Sequence, residues 1–148
     1  MIDLLAWFET NKQKLVSGGV IVLIVGLVGY FFNWKTTQSE LDASDALYRV
    51  RAAASKAEET TVDPANLLKV VSDHSGTAAS GRALLFAANS YFNEGQYAEA
   101  QKQFESFLTG NPDSPLRSSA MYGVAACKDA QGQPSDAIDE YRRVASNF

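Results

Sequence analysis

The sequence predicts an all-α protein in which a single N-terminal transmembrane helix precedes a soluble body of helical hairpins. Two observations lead to this fold class. Residues 15–34 form an uncharged run of 20 residues, bounded by Lys14 and Lys35. From residue 36 onward, apolar residues recur at helical spacing in segments separated by Gly and Pro, as expected of amphipathic helices joined by turns. The chain of 148 residues therefore divides into one anchor and one soluble body.

Residues 15–34 are long enough to cross a bilayer as one helix. At ~1.5 Å per residue, this helix measures roughly 30 Å, which is the thickness of the hydrocarbon core. Only Ser17 and Asn33 interrupt its apolar surface, so no side of it suits water. A cleaved signal peptide is the alternative, but the run exceeds a typical signal-peptide core and no small-x-small cleavage site follows. We expect a retained transmembrane helix.

Residues 1–14 are expected to form an amphipathic N-terminal segment. Trp7 and Phe8 stand ahead of the span, and aromatic rings suit the interface between lipid and water. A frayed first turn of the same helix is the alternative.

The charges that flank the span predict its orientation. Lys12 and Lys14 lie on the N-terminal side, whereas acidic residues soon follow Lys35 on the other side. Arg49 and Arg51 dilute this asymmetry near the limit of the zone that counts. The positive-inside rule therefore predicts a cytoplasmic N-terminus and an extracytoplasmic body.

One face of the predicted span carries all four of its glycines. At about 100° per residue, six residues fall within an arc of about 100°. They are Gly18, Gly19, Val22, Gly26, Gly29 and Asn33. A face without side-chain bulk lets another membrane helix approach closely, although glycine is also simply common in membrane helices. We expect this face to pack against a membrane protein partner, with lipid on the other side.

Residues 35–76 are expected to form a connecting helix and a degenerate helical pair. The first helix covers about 36–59 and carries an apolar stripe that includes Leu47 and Ala54, with Tyr48 beside it. The pair Asp63-Pro64 reads as an N-cap and a first helical residue. It opens a short helix that ends at residue 73.

Four further helices follow in two units, residues 77–113 and residues 114–148. The expected helices cover 78–94, 97–109, about 115–131 and 135–147, with Thr77 opening the first and Ser114-Pro115 the third. Glycines end the first helix of each unit, and the Gly-Asn-Pro sequence at 110–112 ends the second helix of the first unit.

The two units repeat each other at a spacing of 37 residues. Three pairs of residues coincide at this spacing, namely Gly95 with Gly132, Ala100 with Ala137 and Phe104 with Tyr141. The glycine permits a tight turn, the alanine permits close approach of two helices, and the aromatic ring fills the gap one turn later. A shared hairpin geometry is therefore expected.

These residues resemble the tetratricopeptide repeat, whose usual period is ~34 residues. The first unit matches its pattern at seven positions, which are Ala88, Tyr91, Gly95, Tyr97, Ala100, Phe104 and Pro112. In the second unit Lys128 stands where the pattern has Tyr, and residues 36–76 lack the signature. The resemblance implies that the soluble body is a tetratricopeptide-like helical-hairpin solenoid.

The whole chain is similar to the bacterial ancillary Sec-translocon subunit family. The similarity rests on the segment LLAWFETNKQK, the glycine-rich span ending in YFFNW, the helix ASDALYRVRAAA and the repeats. It implies a single-pass protein of the bacterial inner membrane, with a periplasmic repeat domain that pairs with the translocon and a periplasmic folding factor. The C-terminal unit also looks like envelope repeat lipoproteins, but these carry a lipidated cysteine after a signal peptide, whereas Cys127 lies deep in a repeat.

In a solenoid of this kind the first helix of each pair lines the concave side. By the resemblance, the groove residues are Arg82, Leu85, Phe86, Asn89, Phe92 and Asn93, followed by Ser119, Tyr122, Gly123, Ala126 and Asp129. Only Asn89 matches the carboxylate clamp of chaperone-binding repeats, so we do not expect an acidic tail as the ligand. The apolar members instead suit a helix or an extended segment, unless residues 36–76 cover some of them.

Composition argues against several other functions. After residue 35 the chain has 10 Lys/Arg and 15 Asp/Glu residues, a balance that disfavours nucleic acid. A single His74 and a single Cys127 cannot make the usual zinc or haem site, and we expect the cysteine to be a buried structural thiol. Neither a facing carboxylate pair nor a phosphate-binding glycine loop is evident. We expect no catalytic, metal or cofactor site.

The sequence leaves two functions and one structural question open. The first function is an accessory factor for translocation or envelope biogenesis that captures unfolded clients. The second is a permanent structural subunit of another large membrane complex, for example an energy-transducing one, held by its glycine face. The last helix has an apolar face, including Tyr141 and Val144, that solenoids normally cover. Either a continuation of the natural protein or a partner is expected to cover it.

Overall fold

A computed structural model describes the backbone of residues 2–57 and 61–147, and the side chains of 20–57 and 61–147. These residues form six helices and no strand, which confirms the all-α class. The helices are α1 (Ile2–Lys56), α2 (Pro64–Asp73), α3 (Ala78–Asn93), α4 (Tyr97–Gly110), α5 (Arg117–Ala130) and α6 (Pro134–Asn147). The chain divides into two compact units, Met1–Gln38 and Ser39–Phe148.

The first unit contains the apolar part of α1. Its large apolar side chains from residue 20 to 34 are exposed. Among the described residues, α1 is the one helix that is long enough and apolar enough to cross a membrane. None of its apolar stretch is buried in the protein. The side chains expected to make residues 1–14 amphipathic lie outside the described part of the chain.

In the second unit, the rest of α1 packs against α2 and α3. The predicted apolar stripe of α1 is buried at Ala43, Leu47 and Ala54, whereas Tyr48 is exposed. Leu47 shares a core cluster with residues of α2 and α3. The carboxylate of Glu40 also accepts a hydrogen bond from the backbone amide of Ala78, at the start of α3. Both apolar and polar contacts therefore hold this part of α1 on the repeats.

The helix boundaries follow local signals at most positions. Asp63 caps α2, because its carboxylate accepts a hydrogen bond from the amide of Ala65 at 2.9 Å. Thr77 caps α3 through a 3.0 Å bond from the amide of Ser80. Gly95, which follows α3, has a φ of +77°, a conformation that glycine adopts without steric cost.

One predicted start was wrong. We expected Ser114-Pro115 to open α5 directly, but the helix begins at Arg117. The hydroxyl of Ser114 accepts a hydrogen bond from the amide of Leu116, and its carbonyl accepts one from the amide of Arg117. These two bonds close a turn ahead of the helix and delay its first regular residue.

Consecutive helices from α2 to α6 pack against each other, and α3 also contacts α5. The main core lies among α3, α4 and α5. Its buried residues include Leu84, Ala88, Ala100, Phe104, Phe107, Ala120, Val124 and Cys127. This packing places the first helices of the two repeats side by side, with a helix of the first repeat beneath them.

Candidate protein-binding groove

A groove of about 500 Å³ lies between α3 and α5. Nine residues line it, namely Leu85, Asn89, Phe92, Phe104, Ser118, Ser119, Tyr122, Gly123 and Ala126. None of these residues carries a charge. The groove therefore offers aliphatic and aromatic surface together with neutral hydrogen-bonding groups, and it lies in the size range of ordinary ligand sites.

The bottom of the groove is formed where Phe104 of α4 meets Gly123 of α5. A Cβ atom placed on Gly123 would lie 2.5 Å from Cζ of Phe104, which is far closer than carbon atoms can approach. The missing side chain therefore lets the ring pass under α5. Phe104 is only 4% exposed, so it gives the groove an apolar, well-supported floor.

Polar groups are arranged around this floor. The side-chain nitrogen of Asn89 donates to the carbonyl of Leu85 at 2.8 Å, which fixes the orientation of the amide one turn along α3. Ser118 and Ser119 add hydroxyl groups at the start of α5. The ring of Tyr122 is largely exposed beside them. These neutral groups can bind the backbone of an extended or helical ligand without favouring a charge.

Of the six groove residues predicted on α3, three line this groove, namely Leu85, Asn89 and Phe92, and so does Tyr122 of α5. The other three lie elsewhere. Arg82 donates to the hydroxyl of Ser44 on α1 at 3.3 Å. The ring of Phe86 lies 4.4 Å under the guanidinium carbon of Arg51, also on α1. Asn93 is exposed at the end of α3.

These placements separate two faces of α3. Arg82 and Phe86 contact α1. This agrees with the alternative given by the sequence, in which residues 36–76 cover some of the predicted groove residues. Of the predicted residues on α5, Ser119, Gly123 and Ala126 line the groove. Asp129 is exposed and does not line it. The groove is thus shorter along α3 than the sequence suggested.

Sequence reasoning missed Phe104 and Ser118 as groove residues. Phe104 belongs to the second helix of its repeat, which was expected to lie behind the groove. The available signal was Gly123, because a glycine within a helix next to a repeat aromatic indicates a place where a ring needs room.

The departure of Lys128 from the repeat pattern has a structural explanation. Its ammonium group lies 2.8 Å from the carboxylate of Glu140 on α6, and both side chains are less than one-fifth exposed. Glu140 also pairs with Arg143 at 3.0 Å. The pKa of the Glu140 carboxyl is lowered, mainly by the hydrogen bond from Lys128. Burial acts in the opposite direction and raises it, but by less. In the first repeat Tyr91, at the position equivalent to Lys128, packs against the core instead.

Neither a metal cluster nor a reactive thiol is present in the part of the chain with described side chains. No group of three His, Cys, Asp or Glu residues there could hold a metal ion. Cys127 is fully buried, and burial, followed by the charge of Glu105, raises the pKa of its thiol to about 11. A thiol of this kind is a weak nucleophile at neutral pH.

The predicted membrane face is open at the positions that are described. A Cβ atom on Gly26 or Gly29 would meet nothing within 4 Å, and Val22 and Asn33 are exposed. Gly18 and Gly19 lie outside the residues whose side chains and surroundings are described. Within the first unit, this face thus has no partner at its described glycines.

Comparison with known proteins gives one family. A family model described as a tetratricopeptide repeat-like domain matches residues 6–147. Neither the curated proteins nor the solved structures gave a match.

Proposed function

We propose, since the chain belongs to the tetratricopeptide repeat-like domain family, that it is a membrane-anchored, non-catalytic protein-binding subunit. Domains of this family act as protein-interaction modules, which makes a protein the expected kind of ligand. In this proposal the groove over Phe104 captures uncharged, apolar segments of client proteins. The protein is accessory to a translocon or to another machine of envelope biogenesis.

The uncharged groove is the observation that carries this proposal. A cluster of Lys or Arg would favour acidic tails, whereas the floor of this groove is the ring of Phe104 with Leu85 and Phe92 around it. Apolar side chains of a client gain free energy when they leave water for such a surface, at about 25 cal/mol per Å². Unfolded chains expose such side chains and folded proteins bury them. The groove therefore suits selection of unfolded segments.

The apolar and uncovered part of α1 supports the membrane anchor. Residues 20–34 expose large aliphatic and aromatic side chains that water would solvate poorly, and a bilayer is the solvent that suits them. The flanking lysines support a cytoplasmic N-terminus and a periplasmic repeat domain in the inner membrane of a bacterium. Association with the translocon is supported by the resemblance described above.

A permanent structural subunit of another membrane complex is the second candidate. The open glycine face of α1 favours it, because a helix without side-chain bulk at Gly26 and Gly29 can pack closely against another membrane helix. In that case the partner in the membrane would be fixed, and the repeats would bind one subunit instead of many clients.

The experiment that separates these functions is affinity purification of the full chain in mild detergent after crosslinking in cells, followed by mass spectrometry. The key variant is Asn89→Arg, which places a charge in the groove at an exposed position. Asn93→Arg is the matched control, because it adds the same charge one turn along α3 outside the groove.

The proposed function predicts many secreted clients in the wild type and in Asn93→Arg, and at least a fivefold loss of them in Asn89→Arg. Stoichiometric recovery of one fixed complex, unchanged in Asn89→Arg, would support the structural subunit instead.

A further inference from the structure

Two arginines lie beside the groove, where α3 meets α1. The guanidinium carbon of Arg51 on α1 is 4.4 Å from the centroid of the Phe86 ring on α3. Arg82, one turn before Phe86, donates to the hydroxyl of Ser44 on α1 at 3.3 Å. Both arginines are exposed, and no ion pair involves either of them among the described side chains. Arg51 and Arg82 are called the arginine pair below.

The arginine pair occupies positions that are neutral in the groove. Contacts between α1 and α3 join residues 38 apart in sequence, as in the bond of Arg82 to Ser44, and at this spacing Arg51 corresponds to Asn89. Between α3 and α5 the repeat spacing is 37, at which Arg82 corresponds to Ser119. Asn89 and Ser119 both line the groove. The same two positions of the fold are thus neutral between α3 and α5 and cationic between α1 and α3.

The floor of the two surfaces differs as well. Phe86 stands 37 residues before Gly123, so a ring occupies the place where the groove has a glycine. This ring is half-buried, and Arg51 lies over it. The surface between α1 and α3 therefore presents a ring and two guanidinium groups, instead of the room that Gly123 leaves for Phe104.

We propose that the arginine pair binds the carboxylate of one Asp or Glu side chain in the same client segment whose apolar residues lie in the groove. This inference rests on the proposed function and specifies its ligand further. Guanidinium groups bind carboxylates through paired N–H bonds, and contact with a ring face leaves most of those donors free. The nearest carboxylate on this side of α1, that of Glu40, is already bound to the amide of Ala78.

The overall charge favours a single carboxylate over a polyanion. From residue 36 onward the chain has 10 Lys/Arg and 15 Asp/Glu residues, so the arginine pair is a local exception on an acidic body. Nucleic acids and anionic bilayers require a larger basic surface, and a segment with many acidic residues would be repelled by the rest of the body. One acidic residue close to an apolar anchor is the pattern that fits both surfaces.

The distance between the two surfaces predicts the spacing within the ligand. The groove lies on the α5 side of α3 and the arginine pair on the α1 side. Packed helices are about 8–10 Å apart, and an extended chain advances about 3.3 Å per residue. We therefore expect the acidic residue about three residues from the apolar anchor.

Fluorescent peptides test this expectation. Each has the uncharged core Leu-Phe-Leu in a Ser-Gly background, with a single Glu at a different distance before or after the core, and each has a match with Gln in place of Glu. Anisotropy against the full chain in detergent measures their affinities. We expect Glu to improve binding at least about fivefold over Gln at a spacing of about three residues on one side of the core, and less at other spacings.

Arg51→Gln and Arg82→Gln test the site itself. Each should remove most of the advantage of Glu over Gln and leave the affinity of the Gln peptide unchanged. Arg49→Gln is the matched control and should leave the advantage intact, because Arg49 is an exposed arginine on the opposite side of α1 from Arg51. Circular dichroism of the variants checks that their helices remain.

Three results would overturn the inference. The first is equal binding of Glu and Gln peptides at every spacing; if Asn89→Arg still weakens the Gln peptides, the proposed function stands and only the carboxylate site is lost. The second is an advantage of Glu that Arg49→Gln reduces as much as Arg51→Gln does, which would indicate general attraction between charges. The third is an absence of binding by all the peptides, which would overturn the proposed function as well.

Discussion

The ring of Phe104 lies against the backbone of Gly123, so closely that a Cβ atom on that glycine would come within 2.5 Å of it. This contact joins the two repeats, because Phe104 belongs to α4 and Gly123 to α5. It also forms the floor of the groove. Stability of the stack and shape of the candidate site therefore depend on the same pair of residues.

Replacement of Gly123 by Ala is predicted to destabilise the protein. The added methyl group overlaps the ring of Phe104, and overpacking of this kind costs about 1–3 kcal/mol. The free energy of unfolding, measured by chemical denaturation of the full chain in detergent, checks this. Gly110→Ala is the matched control, because a Cβ at Gly110 meets nothing within 4 Å. Equal stability of the two variants would contradict the packing described for α4 and α5.

The ion pair between Lys128 and Glu140 is predicted to stabilise the α5–α6 hairpin in a pH-dependent way. A largely buried, hydrogen-bonded ion pair contributes more than an exposed one, so Lys128→Met should cost about 1–2 kcal/mol at pH 7. The pKa of Glu140 is lower in the folded state. This contribution is therefore fully present above the ordinary Glu pKa of about 4.3. It is lost as the pH falls through the lower, folded pKa.

Denaturation at a series of pH values measures the difference between Lys128→Met and wild type. The difference should shrink below about pH 4. Lys69→Met is the control, because the Lys69–Asp73 pair is exposed and its loss should hardly change the free energy of unfolding. A difference that stays constant down to pH 2 would show that the lysine acts through packing alone.

Cys127 is predicted to resist thiol reagents while the protein is folded. The thiol is buried and its pKa is raised to about 11, so little thiolate exists at pH 8. Relative to an ordinary thiol of pKa about 8.5, the loss of thiolate alone slows the reaction about 100-fold or more. Maleimide labelling of the folded and the denatured chain, followed by mass spectrometry, measures this ratio. Similar rates in both states would place the thiol at the surface.

The glycine face of α1 is predicted to set the membrane partner. Gly26→Leu adds bulk to this face, where close helix packing needs a small residue, and should reduce co-purification of membrane partners at least fivefold. Ile24→Leu is the matched control, since residue 24 points to the opposite side of the helix. If both variants co-purified the same amount of membrane partners, the prediction would be wrong, and the glycine face would contact lipid only.

Much of the fold could be predicted because its signals are local. Asp63 and Thr77 act as N-caps within their own helices, and Gly95 ends a helix by its own backbone conformation. The start of α5 was misplaced because Ser114 can bind amides in a turn as well as in a helix cap. Two such uses of one hydroxyl are indistinguishable in sequence.

The site was predicted less completely because it depends on contacts between helices. Leu85 and Asn89 followed from the repeat pattern. Whether Arg82 and Phe86 faced the groove or α1 depended on how α1 packs, and residues 36–76 lack the repeat signature that would have indicated it. Phe104 of α4 reaches the groove only because Gly123 of α5 leaves room for its ring. This contact depends on how the two helices pack, so neither helix indicates it alone.

Photocrosslinking from inside the groove tests the proposed function most directly. A photoreactive residue at Ser119, on the groove wall, is compared in cells with one at Glu99, on the exposed side of α4. We predict that the Ser119 probe captures several unfolded secreted proteins through uncharged, apolar segments, and that the Glu99 probe captures few. Equal capture by both probes, or capture at Ser119 of charged segments alone, would contradict the proposal that this groove binds apolar client segments.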